Sequence, residues 1–518
     1  MKKLLFILIL SSVTYAQNPN ILWQNTINAV DFDTVYTSVN TSDGGTLLVS
    51  TSNSDASGDK SENSNGENDI WLIKVDNLGV IEWEETIGGS LSDFIIAAYE
   101  TADGGFILGG GSRSNISGDK TENNIGENDV WVIKINATGT IEWQKTIGGT
   151  SSDSVRSLGI TNDGNYIIAA ASQSGISGDK TEASKGQIDI WLLKIDNSGN
   201  IIWQKTIGSN NDDVPTSIKE TSDGGYIVGS YSNSDISGDK TQAVSGFHDF
   251  WVIKTDNVGS IEWENTIGGN KADILRDIEI LDSGNYLLAG YSDSDISLDK
   301  TENSRGTFDY WIMELNSDGM PIWQKTIGGD DEDFAFNIEI TTDNNYLIAG
   351  QSSSDISGEK SQDSKGGIDF WPIKINATGT MIWQKTIGGN GNDYLTVANE
   401  TTNGYILSGH SFSDVSDDKT EDSSFIDPWI IKLDKEPTAS LQENQLATIN
   451  IFPNPTTSKV FIDTKSIKTV ILYDIWGNII LETTKKEIDL SHLSAGLYIA
   501  KIFNSNMQVV SLNKILKQ

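Results

Sequence analysis

The chain has 518 residues, and 73 acidic side chains against 36 basic ones give a formal net charge of −37. It holds 15 Trp, 50 Gly, 8 Pro, 3 His and no Cys. Without Cys there can be no disulfide framework, thiolate metal site or cysteine nucleophile. The acidic excess argues against a nucleic-acid partner, since phosphate neutralisation needs Lys and Arg in surplus. The Trp content excludes a disordered acidic polymer.

Residues 1–16 read as a secretory signal peptide. Lys2 and Lys3 form the charged start, Leu4 to Leu10 the apolar core, and Ala16 the residue at the cut. That core is far shorter than the roughly 20 residues a spanning helix needs. No other stretch is apolar enough, so no transmembrane span is expected.

Residues 17–434 are an internal repeat of 60 residues. Trp23, Trp83, Trp143, Trp203, Trp263, Trp323 and Trp383 keep that step, as does the Asp33 series. A second series runs Trp71, Trp131, Trp191, Trp251, Trp311 and Trp371, with its last member, Trp429, two residues short. One unit predicts four strands: a, Val214–Thr221; b, Tyr226–Tyr231; c, Asp249–Thr255; d, Ser260–Ile267. Asp-Gly turns close the hairpins. Seven such units point to an all-β fold, a seven-bladed β-propeller. The phase supports a closed ring. The repeat begins with strand d alone (Ile21–Ile27) and ends after strand c, so the first strand can complete the last blade and leave no open edge.

The c–turn–d segment, as in Trp191 through Asp196 and Gly199 to Trp203, is similar to the tryptophan-docking repeat of quinoprotein-like propellers. The resemblance implies Trp packed between neighbouring blades. It does not imply redox chemistry, because the ligand residues such enzymes place in the central funnel have no match here.

Alternation puts the long b–c loops and the d-to-a connections on one face, and tight turns on the other. Function on a rigid scaffold belongs to the long-loop face. That face carries Asp55 and Asp59, Asp119, Asp179, Asp235 and Asp239, Asp295 and Asp299, Asp355 and Glu359, Asp414 and Asp418. Asp235-x-Ser237-x-Asp239 places oxygens at alternate positions, a pattern that could hold calcium. Against it, a Lys follows each second acid (Lys60, Lys120, Lys180, Lys240, Lys300, Lys360, Lys419) and could pair with it. The plain alternative is turn-capping Asp with surface ion pairs. The Asp33 and Asp69 series read as structural.

Catalysis has little footing. His248, His410 and His492 assemble no triad or metal set. Carboxylate pairs for glycoside hydrolysis cannot be chosen by spacing. The units look nearly interchangeable, differing at Leu298, Pro321, Pro372 and Pro428, whereas a single active site should leave one blade distinct.

Residues 435–446 read as a linker. From residue 447 to 518 the composition turns basic, with 8 Lys, no Arg and 5 acids, a net of +3, against −40 for the rest. Strands are predicted at Lys459–Ile462, Thr469–Tyr473, Asn478–Glu482, Gly496–Phe503 and Val509–Leu516, a small β-sandwich. This tail resembles the C-terminal sorting domain of the Bacteroidetes type IX secretion system. The resemblance rests on Phe452 with Pro453, Asn454 and Pro455, then Leu472 through Asp474 to Gly477 and Asn478. It continues with Ile488 to Ser491, Leu493 to Gly496 and Tyr498, and a basic end with Lys514 and Lys517. It implies passage through the outer membrane, with the type IX secretion machinery as a partner and a secreted or surface location via the periplasm. Together these readings predict a non-catalytic surface propeller that binds a glycan or a protein through its acidic loop face. A secreted carbohydrate-active enzyme or a structural surface protein are the competing classes.

Overall fold

The computed structural model describes residues 18–435, 449–464, 468–474, 479–503 and 509–518. The predicted signal peptide and residues 436–446 of the predicted linker lie outside these. The chain forms two compact units, Met1–Glu436 and Pro437–Gln518. The described residues are all-β, and they form no helix long and apolar enough to cross a membrane.

The first unit is built of repeated antiparallel sheets. The fourth repeat shows the plan: Asp213–Glu220, Tyr226–Ser232, Asp249–Thr255 and Ile261–Ile267 pair in chain order. The predicted strands a to d thus form within a residue of their expected ends. Strands b and c are covered on both faces, so they read as near-continuous apolar runs, as in Asp129–Ile135 (DVWVIKI), buried at every position. Strand d keeps an outer edge and is half-exposed. In the sixth repeat Pro372 lacks the N–H that the ladder needs. Strand c there is split into Asp369–Phe370 and Ile373–Ile375.

Strand a carries the same irregularity in every repeat. Its register shifts between the third and fifth residues, as at Val155/Ser157 and Leu275/Asp277. The fourth residue is left outside the ladder and its side chain is re-aimed.

The sheets bury their faces against one another. Val130 and Val132 of the second repeat share a core with Leu158, Ile168 and Trp191 of the third. Leu48 and Trp71 of the first repeat pack with Ile406 and Ile430 of the last. The strand Asp33–Asn40 lies beside both Asp93–Glu100 and Asp393–Thr401. The fourth strand of the last sheet is Ile21–Thr26, paired antiparallel with Asp427–Asp434. It supplies the side chains that strand d supplies elsewhere. Gln24 accepts a hydrogen bond from Trp429 Nε1 at 3.0 Å, as Gln204 does from Trp191. These repeated blades fit a propeller-like fold.

The second unit has two sheets. One holds Asn450–Phe452, Lys459–Asp463 and Glu487–Asp489; the other holds Ile479–Thr483, Thr469–Tyr473, Gly496–Phe503 and Val509–Lys517. Val460, Leu472, Ala500, Ile502 and Ile515 form its core. Strands Asn450–Phe452 and Glu487–Asp489 were not anticipated, because three residues are too few to show alternation.

Candidate functional site

The acidic loop face is tied down more than its sequence suggests. The second acid of each loop reaches across to the neighbouring sheet. Asp119 Oδ2 accepts from Gly88 N at 3.2 Å, while the Asp119 amide donates to Gly88 O at 2.8 Å. Asp179, Asp239, Asp299, Glu359 and Asp418 repeat this with Gly148, Gly208, Gly268, Gly328 and Gly388. Asp59 does so with Asn28 N at 2.8 Å. The first acids, Asp55, Asp235, Asp295, Asp355 and Asp414, are exposed. Among the described residues no three His, Asp or Glu groups come together as metal ligands.

The lysine that follows does not pair with that acid. It turns inward and is almost wholly buried, at 1–2% exposure in all seven loops. Lys240 Nζ lies 5.0 Å from the Trp251 ring centroid and donates to Thr266 Oγ1 at 2.6 Å. Lys419 lies 4.9 Å from Trp429 and donates to Thr26 on the N-terminal strand. The indole face offers partial negative charge to a desolvated ammonium. The sequence could not show this, because the ring lies under the lysine only after strand c and the loop have folded together.

The Asp33 and Asp69 series are also buried, both at 0% exposure. Asp93 Oδ2 accepts from Gly89 N at 2.6 Å and Ser114 Oγ at 2.9 Å, fixing the d-to-a connection. Burial raises Asp33, Asp69, Asp213, Asp333 and Asp369 from 3.8 to about 6, and Asp249 to about 7. Burial lowers Lys240, Lys300 and Lys419 to about 8.

These shifts predict an inverted pH dependence. A folded carboxyl pKa above its unfolded value means that the native state binds protons more tightly between about pH 4 and 7, so stability rises on acidification through that window. The lowered lysines bind protons less tightly when folded, so their contribution rises with pH above about 8. Differential scanning calorimetry should therefore find a higher midpoint near pH 5 than near pH 7.5. Below about pH 4 the trend should reverse. There Asp43, Asp103 and Asp223, held at about 2 chiefly by hydrogen bonds from Thr41, Thr101 and Thr221, become protonated. A midpoint that falls steadily from pH 7.5 to 5 would contradict the burial account.

Both Trp series lie between sheets. The strand-d Trp docks on the c–d turn of the next repeat, where a glycine with positive φ leaves room. A Cβ on Gly79 would stand 2.6 Å from the Trp23 ring, and one on Gly319 2.6 Å from Trp263. The strand-c Trp is fully buried in all seven cases.

The repeats become individual along strand a. A cavity of about 440 Å³ is lined by residues from all seven of these strands. The bulged fourth position contributes Tyr36, Ile96, Arg156, Thr216, Arg276, Phe336 and Thr396. The seventh position contributes Val39, Tyr99, Lys219, Glu279, Glu339 and Asn399, with Gly159 at that position in the third repeat. Here no two repeats carry the same set. The sequence-level view of interchangeable units is therefore corrected: the difference lies where the chain turns inward, and a bulge shared by all units decides which residues those are.

The carboxylates of this cavity are engaged. Asp277 accepts from Ser217 Oγ at 3.0 Å, Ile278 N at 2.8 Å and Asn337 Nδ2 at 3.1 Å. Glu279 pairs with Lys219 at 2.5 Å, and Glu339 accepts from the Glu400 amide. Burial, with Glu400 and Glu279 near, pushes Glu339 up to about 7. A larger cavity, of about 800 Å³, is lined by turn residues of the first and last repeats with Trp23 and Lys432.

In the tail, Asn454 ties the Pro453–Pro455 segment to the last strand. Its Nδ2 donates to Lys514 O at 2.6 Å, and its Oδ1 accepts from Leu516 N at 2.8 Å. Asp474 follows the strand Thr469–Tyr473, and Gly496 opens the strand that carries Tyr498, whose hydroxyl donates to Ser494 O at 2.9 Å. Gly477 lies outside the described residues.

Residues 450–518 match the secretion system C-terminal sorting domain family. This domain marks the chain for export by type IX secretion to the cell surface or extracellular space. The chain is 24% identical over 221 residues to the regulatory protein FlaEY of Caulobacter vibrioides; the match covers 40% of this chain and 23% of that protein, so the chain spans about a quarter of the relative's length. Among solved structures, a Dyadobacter fermentans protein of unknown function is similar at 11% identity and a TM-score of 0.39, over 80% of this chain and 99% of that one. The WD40 domain of Neurospora crassa Pan2 is similar at 9% identity and a TM-score of 0.40, over 79% and 95%.

Proposed function

We propose that the repeats close into a seven-bladed β-propeller and that the exported protein is a non-catalytic binding module. Its ligand, a glycan, enters the axial cavity from the long-loop face. The observation that carries this reading is the location of difference: seven similar units vary together at the positions facing one shared cavity. A structural spacer needs no such variation. Closure is supported by the Ile21–Thr26 strand in the last sheet and by the packing of Asp33–Asn40 beside Asp393–Thr401.

Catalysis is less well supported. His410 is half-buried and desolvation pushes it down to about 4, and the cavity carboxylates are spent on neighbours. The acidic loops serve in this reading as latches between blades.

The test is a glycan array probed with the mature chain, run with calcium and with a chelator, beside thermal unfolding in the same two buffers. Binding without turnover, retained in chelator, is the expected result. The midpoint should be the same in both buffers. A calcium-dependent rise, about 2.7 kcal/mol per site at about 100 times its dissociation constant, would return function to the loop acids. Turnover of a bound glycan would favour the enzyme class.

A further inference from the structure

Two of the four arginines in this acidic chain, Arg156 and Arg276, occupy the bulged position of strand a in the axial cavity. Neither has a hydrogen bond or ion pair to a carboxylate among the described residues, and Arg276 Nε is buried without any partner. Arg113 is exposed and likewise has no ion pair among the described residues, but it lies outside the cavity. Arg305 is paired with Glu359 at 2.6 Å, and Lys219, in the same cavity, with Glu279. Asp277, next in sequence to Arg276, is saturated by Ser217, Asn337 and two backbone amides. The two guanidiniums also disfavour each other: Arg156 is exposed to the cavity, and there desolvation by the surrounding walls and then the charge of Arg276 lower its pKa. A fold with 73 acids has thus placed two like charges near one another and withheld every counter-ion.

The wall beside them is aromatic at Phe336, against which Tyr291 and Phe334 pack without themselves lining the cavity. Arg276 lies 5.2 Å from the Phe336 ring centroid. Phe336 is 6.4 Å from Phe334 and from Tyr291, and Tyr291 and Phe334 meet edge to face at 4.8 Å. Strand a starts at the long-loop face, so this tier lies nearer that opening than the Lys219–Glu279 tier three residues further along.

We propose that Arg156 and Arg276 together bind the oxoanion of an acidic sugar, a uronate carboxylate or a sugar sulfate, with the aromatic wall against the sugar's C–H face. Planar guanidiniums match such oxoanions with paired N–H donors. The cavity of about 440 Å³ limits the site to a residue or two at a chain end. This rests on the binding-module reading above and names its ligand class.

Calorimetric titration of the mature chain with glucuronate, N-acetylglucosamine 6-sulfate and neutral glucose tests it. The acidic sugars should bind at least about tenfold more tightly than glucose, and R156Q/R276Q should lose about tenfold or more, as expected for charge-assisted hydrogen bonds. R276K should lose less than R276Q, and thermal midpoints should not fall, since removing two repelling charges costs the fold little. Equal binding of acidic and neutral sugars, or binding that survives the double substitution, overturns the proposal. So does preference for a peptide C-terminal carboxylate over every sugar. Array binding that the double variant retains overturns this site while leaving the binding module standing; no binding by the wild-type chain to any glycan overturns both.

Discussion

Deleting residues 18–26 should collapse the cooperative unfolding of the repeat body. The strand Ile21–Thr26 completes the last sheet through pairing with Asp427–Asp434 and joins it to the first repeat, where Trp23 and Asn25 meet the Gly79 turn. Its loss strips Trp429 Nε1 of Gln24 and leaves the buried Lys419 ammonium without Thr26. It also bares a sheet edge, a template for association. Lost burial of the half-buried Ile21 and Trp23, about 1 kcal/mol each when the value for full burial is halved, and a stranded buried cation at about 1–3 kcal/mol together predict a loss of roughly 3–5 kcal/mol. Urea unfolding followed by Trp fluorescence would show it as a lower midpoint with a broadened transition. The strand's own position supplies a rescue. Asp434 N donates to Asn20 O at 2.9 Å, so the two ends of the body lie together. A circular permutant that joins them and opens the d-to-a connection near Asn210 should regain the lost stability. An unchanged midpoint after deletion would mean that the repeats stack as an open array.

The second large effect is expected at the buried Trp of strand c. In Trp191→Ala the cavity cost of a large core truncation is about 3–5 kcal/mol. The indole also gives Lys180 the ring 5.4 Å from its ammonium, and donates to Gln204 at 3.1 Å. Truncation therefore leaves a desolvated cation without its ring as well as a void, while Gln204 keeps its bonds to Thr181 and Asp179. Trp191→Phe keeps a ring under Lys180 and should recover more than half of the loss. Lys180→Met separates the two contributions: it keeps the packing but leaves Asp153 and Asp189 without their counter-charge. Chemical denaturation of the three variants checks the order Ala worst, then Met, then Phe. If Trp191→Ala costs no more than a surface change, the indole is not the joint between the second and third sheets.

The legible parts of this protein are local ones. Strand Asp249–Thr255 was predicted at its observed ends because apolar residues run between an Asp and a turn, and hairpin turns are set by their own residues. The sorting tail was legible because its motifs are contiguous. The candidate site was not. Nothing in the sequence marks Arg156 and Arg276 out, and the bulge of strand a places them on the shared cavity. Lys60 next to Asp59 suggested an ion pair, but the acid reaches Asn28 of another sheet and the lysine reaches Thr86 of its own.

The sequence by itself determined the repeat length, the four strands of each unit, the fit of the first strand to the last unit, and the sorting tail. Each follows from spacing along the chain, where periodicity and turn chemistry act over a few residues. Only the tertiary structure decided which side chains face the shared cavity, which charges are buried and which partners they take. Those depend on groups that lie tens of residues apart and meet only when one sheet packs on the next. A carboxylate or guanidinium takes its partner from that packing, not from its neighbour in the chain.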